Sequence, residues 1–138
     1  MQAAILLVKL RYLDEDNAKR QELAQHYCEQ LSSKQLIVPQ FPSQQPLSHV
    51  WHLFTIRTQN RDQLQGYLSN NGIQTMVHYP VPTHQQDAYL DMRRYNLPIT
   101  ESIHNEILSL PMSPRLGRQD IDYVSKHVNA GLLCISQE

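Results

Sequence analysis

The sequence predicts an α+β fold, a small mostly antiparallel sheet covered by helices. Apolar patterns with helical and strand periods alternate along the chain, in the order helix, strand, helix, strand, helix, helix, short strand, helix. The 138 residues include 41% hydrophobic and 18% charged residues, so there is enough apolar material for a core. This length accommodates one compact unit and leaves no room for a second full domain.

The first 31 residues are predicted to be helical, with a kink near residues 13–16. Apolar side chains recur at helical spacing from Ala3 to Leu10, and again from Ala24 to Leu31. Nothing in Met1–Ala4 can cap a helix, because this stretch lacks Ser, Thr, Asp and Asn. An uncapped start is typical of a helix cut from a longer segment.

Two strands and a connector are predicted next. Residues 32–48 contain three prolines, which favour an extended connector with an edge strand at Leu36–Val38. Val50–Arg57 is rich in β-branched and aromatic residues and is nearly continuously apolar. This pattern predicts a central strand covered on both faces.

A helix and a second strand follow. Asn60 and Gln63 have the spacing of a capping box, which predicts a helix that ends before Gly72. Ile73–Tyr79 alternates between apolar and polar positions, with His78 on the polar side. The alternation predicts a strand that stops at Pro80.

Two further helices are expected in the middle of the chain. Thr83 and Gln86 again have capping-box spacing and predict a short helix that extends through Met92. Thr100 is expected to cap the next helix. Two helices are therefore predicted between the strand at Ile73–Tyr79 and a later short strand.

A short strand and a long helix complete the prediction. Leu108–Leu110 is predicted to be a strand that is stopped by Pro111. Arg118–Asn129 places apolar side chains on one helical face, and Gly131 is expected to end this helix.

Charge and hydropathy exclude several classes of function. Twelve basic and thirteen acidic residues give a formal net charge of −1, which disfavours binding to nucleic acid or to an anionic membrane. The apolar stretch Ala3–Val8 is far shorter than a membrane span, and no secretory signal is recognised, so a cytoplasmic protein is expected. The widely separated Cys28 and Cys134 are interpreted as reduced thiols.

The residues needed for catalysis or for cofactor binding are not found. The chain has no nucleophile elbow, and its four glycines do not form a phosphate-binding loop. Two nearby histidines, His78 and His84, are too few for a zinc site. No catalytic residue, cofactor-binding residue or metal ligand is therefore predicted. The four lysines lie in polar contexts, and none resembles a desolvated Schiff-base lysine: Lys9, Lys19, Lys34 and Lys126.

The segment from His78 to His84 departs most from a purely structural pattern. Pro80 and Pro82 stiffen the chain after a predicted strand, and such a segment can hold His78 and Tyr79 at a fixed place on a cleft wall. There they would hydrogen-bond a polar ligand. The alternative is a loop that only turns the chain.

Four runs in this sequence resemble one known family, the DegT/DnrJ/EryC1/StrS aminotransferases. GIQTMVHYPVPTHQQDAY (72–89) and LSLPMSPRLGRQDIDYV (108–124) are similar to the family's small C-terminal domain. QAAILLVKLRYLDEDNAKRQELAQHY (2–27) resembles the long helix that leads into this domain, and HVWHLFTIR (49–57) resembles its first central strand. The family comprises pyridoxal-phosphate-dependent enzymes that act on nucleotide-linked keto sugars.

The resemblance implies a partial enzyme with the small-domain fold of fold-type I pyridoxal-phosphate aminotransferases. Residues 1–31 would be a helical lead-in from a missing large domain, and residues 32–138 the small C-terminal α+β domain. The large domain of the family holds the Schiff-base lysine and binds pyridoxal phosphate. This chain alone is therefore expected to bind no cofactor and to be inactive. The family's active site forms between two subunits, so a homodimer is expected for the full-length enzyme.

The resemblance also assigns candidate contacts. His78 and Tyr79 match the His-Tyr segment that approaches the substrate pocket, and His84 on the following turn is a weaker candidate. Their implied role is orientation of the sugar or phosphate, because the lysine of the large domain transfers the proton. The family often has Gln-Pro-Ala-Tyr where this chain has Gln86–Tyr89, and a glycine-bearing loop where it has Met92–Asn96. These departures are expected to change the shape of the pocket and the sugar preference.

The whole protein is expected to transfer an amino group, with glutamate as the expected donor, to a keto sugar for polysaccharide or glycan biosynthesis. The alternative is a stand-alone, non-catalytic binding or assembly module that has kept the fold. If Ala3–Leu10 packs on a missing domain, the isolated chain should expose an apolar patch and self-associate.

Overall fold

A computed structural model describes residues 1–41 and 48–136, and within these ranges the chain forms five α-helices and two strands. The elements are α1 (Gln2–Leu10), α2 (Leu13–Gln30), β1 (Phe54–Arg57), α3 (Arg61–Asn70), α4 (Pro98–Glu106), β2 (Ile107–Leu110) and α5 (Arg118–Ile135). Two 3₁₀ segments, Thr83–Gln85 and Asp87–Arg94, lie between α3 and α4. The predicted α+β class is confirmed.

The sheet consists of two antiparallel strands, β1 and β2, with one bridging residue on each outer side. Ile37 and Arg57 exchange two backbone hydrogen bonds of 2.9 Å. Met76 and Ser109 exchange bonds of 3.2 and 2.8 Å. The N–H and C=O groups of one strand residue point to the same side of the strand. Ile37 therefore pairs with the edge of β1 that faces away from β2, and Met76 pairs with the edge of β2 that faces away from β1. The small antiparallel sheet that was predicted is therefore present, and β1 and β2 are its central pair.

One face of the sheet is apolar. The register places Phe54 opposite Leu110 and Ile56 opposite Leu108, and all four side chains are buried. Tyr27 of α2 packs on this face, with its ring stacked 4.6 Å from that of Phe54. Burial raises the pKa of the Tyr27 hydroxyl, which donates a hydrogen bond of 2.9 Å to the carbonyl of Pro111. The main core therefore lies between this sheet face and the helices.

Three helices form the layer beside the sheet, since α5 packs against both α2 and α3. Glu22 of α2 accepts from Lys19 and from Arg118 of α5, each at 2.9 Å, and His26 pairs with Asp122 at 2.7 Å. These ion pairs lie at the solvent-exposed edge of the helical layer. The buried side chains lie between the helices: Leu23, Ala24, Leu64, Leu68, Ile121, Val124, Val128 and Leu132.

The prediction that Gly131 ends the last helix is wrong, because α5 continues to Ile135. Gly131 instead lies where α5 approaches α3. A Cβ atom there would come within 2.7 Å of Tyr67 Cδ1 and 3.1 Å of Leu64 Cδ1. This glycine is needed for close helix packing rather than for termination. The predicted start is confirmed at Arg118.

Both long predicted strands are shorter than expected. Of Val50–Arg57, only Phe54–Arg57 is a strand, because Trp51 has a φ of +50° and turns the chain. The strand predicted at Ile73–Tyr79 forms a single bridge, at Met76, before the chain bends. Leu36–Val38 likewise contributes only the bridge at Ile37, and residues 42–47 of the predicted connector lie outside the described residues.

Neither predicted capping box forms. Asn60 precedes α3 as predicted, but its side chain makes no capping hydrogen bond. Thr83 begins a 3₁₀ turn rather than an α-helix, and the Gln86 side chain donates to the carbonyl of Val81 at 3.2 Å. Gln86 has an extended backbone that ends this turn, and the helix predicted through Met92 is a separate 3₁₀ segment.

The helix predicted at Thr100 begins two residues earlier, at Pro98. Proline is favourable at the first helical position, where the missing N–H costs nothing. The carboxylate of Glu101 accepts the backbone N–H of Leu97, the residue before the helix, at 3.2 Å. Thr100 therefore lies inside α4 and does not cap it.

Most of the exposed large apolar side chains lie in two regions. Helix α1 buries no residue, and it is separated from α2 by Arg11 and Tyr12, slightly before the predicted kink. The name α1 face is used for the apolar surface of this helix, formed by Ile5, Leu6, Leu7, Val8 and Leu10, which are 53–64% exposed and lie on several sides of the helix. The 76–99 segment exposes Met76, Tyr79, Val81, Tyr89, Leu90, Tyr95, Leu97 and Ile99. In the described ranges, no helix has both the length and the hydropathy needed to cross a bilayer.

Candidate functional site

The second face of the sheet carries Thr55, Arg57 and Ser109, and it positions the predicted site residues. Alternation along β2 turns Ser109 away from the core, opposite Thr55 of β1. His78 follows the bridged Met76 by two residues and so lies on the same face as Ser109. His78 Nδ1 is 2.9 Å from Ser109 Oγ, and Ser109 is only 4% exposed. The half-buried imidazole is therefore fixed to the sheet.

Tyr79 lies beside His78 and is accessible. The two rings meet edge to face, with centroids 5.5 Å apart, and the peptide bond between the residues is cis. Tyr79 is 68% exposed. It lines an open groove of about 550 Å³ together with Pro80, Val81, Gln85, Gln86 and Asp87. The structure thus brings His78 and Tyr79 together, and of the two it is Tyr79 that lines the groove.

His84 lies in a different environment. The residue is 3% exposed, and its Nε2 is 3.1 Å from Oε1 of Glu101 in α4. The hydrogen bond to His84, followed by that to the Leu97 N–H, lowers the pKa of the Glu101 carboxyl. This pair connects the 3₁₀ turn to the start of α4 and gives His84 a supporting role. Contact between His84 and substrate stays a prediction, and burial of the ring does not favour it.

A second polar cluster lies at the Arg57 end of β1. Arg57 donates to Glu106 Oε2 through Nη2 at 2.7 Å and through Nε at 3.1 Å. Ser102 Oγ donates to Glu106 Oε1 at 2.6 Å. The Ser102 hydrogen bond and then the Arg57 hydrogen bond lower the pKa of Glu106. Both charged groups have hydrogen-bond partners within the cluster, so we interpret it as a structural connection between β1 and α4. It is called the Arg57–Glu106 clamp below.

Sequence reasoning did not single out Ser109 or the Arg57–Glu106 pair. The sequence does contain a signal for Ser109, which lies between two leucines in the predicted strand Leu108–Leu110. A hydroxyl that is buried in such an apolar strand requires a hydrogen-bond partner. The ion pair joins residues 49 positions apart and leaves no local pattern.

The described residues do not fit a Schiff-base site for pyridoxal phosphate. Lys9, Lys34 and Lys126 are exposed, and Lys19 is paired with Glu22. A reactive Schiff-base lysine requires a desolvated amine or a neighbouring cation. In residues 1–41 and 48–136, no group of three or more His, Cys, Asp or Glu side chains is placed to hold a metal ion. The chemistry that this part of the chain offers is hydrogen bonding and orientation.

Comparison with known proteins identifies the family. A sequence model of the DegT/DnrJ/EryC1/StrS aminotransferase family matches residues 1–129. The chain belongs to this family. It is 43% identical over 129 residues to the dTDP-3-amino-3,6-dideoxy-alpha-D-galactopyranose transaminase of Aneurinibacillus thermoaerophilus, covering 94% of this chain and 35% of that enzyme. It is also 43% identical over 122 residues to the dTDP-3-amino-3,4,6-trideoxy-alpha-D-glucose transaminase of Streptomyces venezuelae, covering 86% of this chain and 31% of that enzyme.

Solved structures agree with this assignment. DesV of S. venezuelae, crystallised with a ketimine intermediate, superposes with a TM-score of 0.86 at 39% identity, covering 94% of this chain and 35% of DesV. NtdA of Bacillus subtilis, with bound cofactor PMP, superposes with a TM-score of 0.77 at 34% identity, covering 92% of this chain and 31% of NtdA. The chain thus spans about a third of the length of these relatives. The predicted family and its fold are confirmed.

Proposed function

We propose that this chain is the small C-terminal domain of a pyridoxal-phosphate-dependent aminotransferase that aminates a nucleotide-linked keto sugar. The observation that carries the proposal is the family match over residues 1–129, together with 43% identity to two dTDP-sugar transaminases. The lysines of this chain do not fit a Schiff base, so the remainder of the enzyme holds the cofactor. This chain contributes a wall of the substrate pocket.

His78 and Tyr79 are the proposed substrate contacts. Ser109 occupies Nδ1 of His78, which leaves Nε2 as the ring atom that can meet a ligand. The Tyr79 side chain is exposed beside it at the groove. Imidazole and phenol groups can hydrogen-bond sugar hydroxyls and phosphate oxygens. The proposed role is to orient the substrate rather than to transfer a proton.

The α1 face and the 76–99 segment are the proposed contacts with the rest of the enzyme. Both expose apolar side chains that a complete fold would bury. The proposed assembly is a homodimer whose pocket lies between subunits, as the family resemblance implies. Glutamate is the proposed amino donor, and one B. subtilis relative, 36% identical, is named for a glutamate-dependent reaction. The proposed location is the cytoplasm, and the proposed use is polysaccharide or glycan biosynthesis.

A hybrid enzyme tests the proposal. Residues 1–129 of this chain replace the matching stretch of the A. thermoaerophilus transaminase, and amination of that enzyme's dTDP-linked keto sugar with glutamate is measured. We expect a folded hybrid that retains transaminase activity. A hybrid that fails to fold, or one that folds and holds the cofactor without aminating the sugar, contradicts the proposal. The parent transaminase is the positive control.

Replacing His78 tests the proposed contact. In the hybrid, His78→Ala should raise KM for the sugar nucleotide about 10-fold and change kcat less, because a hydrogen bond to bound substrate is lost. His104→Ala is the matched control: this half-buried histidine bonds a carbonyl of its own helix, that of Thr100, at 2.9 Å. Equal KM values for the two variants would show that His78 makes no substrate contact.

A further inference from the structure

We propose that Ser109 is a positioning residue that fixes the His78 imidazole so that its Nε2–H, which has no partner among the described residues, points away from Ser109 and donates to substrate. The inference rests on the proposed function, because the substrate atom that receives this bond belongs to the sugar nucleotide. To the proposed function it adds the residue that positions the His78 ring and the direction of the hydrogen bond between His78 and the substrate.

Three hydrogen bonds join Ser109 to the segment that carries His78. Two are backbone bonds of 2.8 and 3.2 Å to Met76, and the third is the bond of 2.9 Å between Ser109 Oγ and His78 Nδ1. Residues on one sheet face that are offset by two positions are diagonal neighbours, which brings the hydroxyl to the ring. The same residue therefore sets both the register of the segment and the orientation of the ring.

The burial of Ser109 decides which partner donates. The residue is 4% exposed, and among the described residues its hydroxyl bonds only His78. If Nδ1 carried the proton and donated, the buried Ser109 O–H would have no acceptor, which is an unfavourable arrangement. The favourable arrangement has Ser109 Oγ–H donating to Nδ1. The neutral ring then carries its proton on Nε2.

A fixed Nε2–H defines the ligand atom that this position accepts. A donor at Nε2 suits a phosphate oxygen, a sugar hydroxyl oxygen or a carbonyl oxygen, and it disfavours a ligand N–H or ammonium group. The ligand class is thus an oxygen acceptor of the sugar nucleotide. Loss of Ser109 Oγ would free the ring to rotate and to exchange its tautomers.

Nuclear magnetic resonance of the 138-residue chain tests the positioning without any substrate. In the chain labelled with ¹⁵N-histidine, the His78 ring should show an acceptor signal at Nδ1 and a protonated Nε2. Ser109→Ala should shift the Nδ1 signal and average the two tautomers, whereas Ser109→Thr, which keeps the hydroxyl, should restore the wild-type pattern. An unchanged His78 spectrum in Ser109→Ala, or a protonated Nδ1 in the wild type, would overturn the inference.

A double-mutant cycle in the hybrid enzyme tests the consequence for substrate. Ser109→Ala should raise KM for the sugar nucleotide about 3- to 10-fold when His78 is present, and should raise it no further in the His78→Ala background. Ser125→Ala is the matched control, since Ser125 is 1% exposed on α5 and its Oγ has no described partner. A KM effect of Ser109→Ala that persists without His78 would assign Ser109 a merely structural role.

The two tests separate the possible failures. A tautomer change in Ser109→Ala combined with no KM effect of His78→Ala would refute the proposed substrate contact and retain the positioning role. A KM effect of His78→Ala without any change in the Ser109→Ala spectrum would do the reverse.

Discussion

The layer formed by α2, α3, α5 and the sheet differs sharply from α1 and the 76–99 segment, although both regions are rich in apolar side chains. Leu64 of α3 is fully buried, whereas Leu7 of α1 is 64% exposed. Both lie in helices with apolar residues at helical spacing. The comparison shows that apolar residues at helical spacing predict a helix. They do not predict whether the surface that packs on those residues belongs to the same chain.

Helix α1 also lacks the features that hold the packed layer together. Ion pairs such as Glu22–Arg118 join α2 to α5, while α1 has nine residues and none of them is buried. A helix of this length is marginal in water without tertiary packing. The α1 face therefore depends on a partner for its stability, which agrees with its proposed contact with the rest of the enzyme.

Two matched leucine substitutions should show the largest difference between these regions. Leu64→Ala should lower the free energy of unfolding by about 2–5 kcal/mol, because it removes buried methyl groups and leaves a cavity. Leu7→Ala should change it by less than about 0.5 kcal/mol, because the side chain is largely in solvent. Urea unfolding of the isolated chain measures both values. Equal losses would show that α1 packs within the chain.

Self-association gives a second measurement of the same comparison, with lysine substitutions. The isolated chain should self-associate with increasing concentration, because the α1 face is a contiguous apolar surface. Leu7→Lys should weaken this association without changing the unfolding transition, as seen by sedimentation. Leu133→Lys, at a residue that is 67% exposed on α5, is the control. A wild-type chain that stays monomeric at all concentrations would support the stand-alone module instead.

Two glycine substitutions should give the next largest effect. Gly131→Ala should destabilise the chain by about 1–2 kcal/mol, because overpacking against Tyr67 outweighs the gain in helix propensity. Gly66→Ala should stabilise it by about 0.5–1 kcal/mol, because Gly66 lies on the exposed side of α3 with open space beside it. Thermal unfolding measures both, and a stabilised Gly131→Ala variant would refute the close packing of α3 and α5.

Gly131 also illustrates what the sequence can and cannot predict. A glycine near the end of an apolar helical pattern is usually a stop signal, but here the requirement comes from Tyr67 on another helix. The capping-box spacing at Thr83 was misleading because Gln86 adopts an extended backbone and ends the turn that Thr83 begins. Local patterns placed most helices correctly, and tertiary contacts decided where several of them begin and end.

The candidate site shows the same division. Alternation and the prolines that follow predicted that His78 and Tyr79 lie where the chain leaves the sheet, although the predicted strand is reduced to the bridge at Met76. The sequence did not predict Ser109 as the partner of His78, because their contact depends on the register between Met76 and β2. Sheet register is set by long-range pairing, so a contact across 31 residues leaves no periodic signal.

The Arg57–Glu106 clamp should produce a smaller, pH-dependent effect on the packed layer. Its hydrogen bonds lower the pKa of Glu106 below the ordinary value of 4.5, so the folded state binds the proton less tightly than the unfolded state. The stabilisation is therefore complete above about pH 4.5 and is lost as the pH falls through the folded-state pKa. Glu106→Gln should reduce stability at pH 7, and its difference from the wild type should shrink below pH 4.5.

The control for this pH dependence is Asp91→Asn, which alters an exposed carboxylate. No ion pair of Asp91 is seen in the described part of the chain. Urea unfolding between pH 3 and 7 should give a nearly constant difference for Asp91→Asn. A constant difference for Glu106→Gln as well would mean that the clamp contributes nothing that depends on its charge.

The smallest expected effect is the absence of a specific lysine adduct. Incubation of the isolated chain with pyridoxal phosphate and reduction with borohydride should give no stoichiometric product, because exposed or ion-paired ammonium groups are poor Schiff-base nucleophiles. Intact mass and peptide mapping report the modified position, and the hybrid enzyme is the positive control, with one adduct in its A. thermoaerophilus part. A stoichiometric adduct on Lys9, Lys19, Lys34 or Lys126 would place a cofactor site in this chain. It would also show that the chain does not depend on another domain for that chemistry.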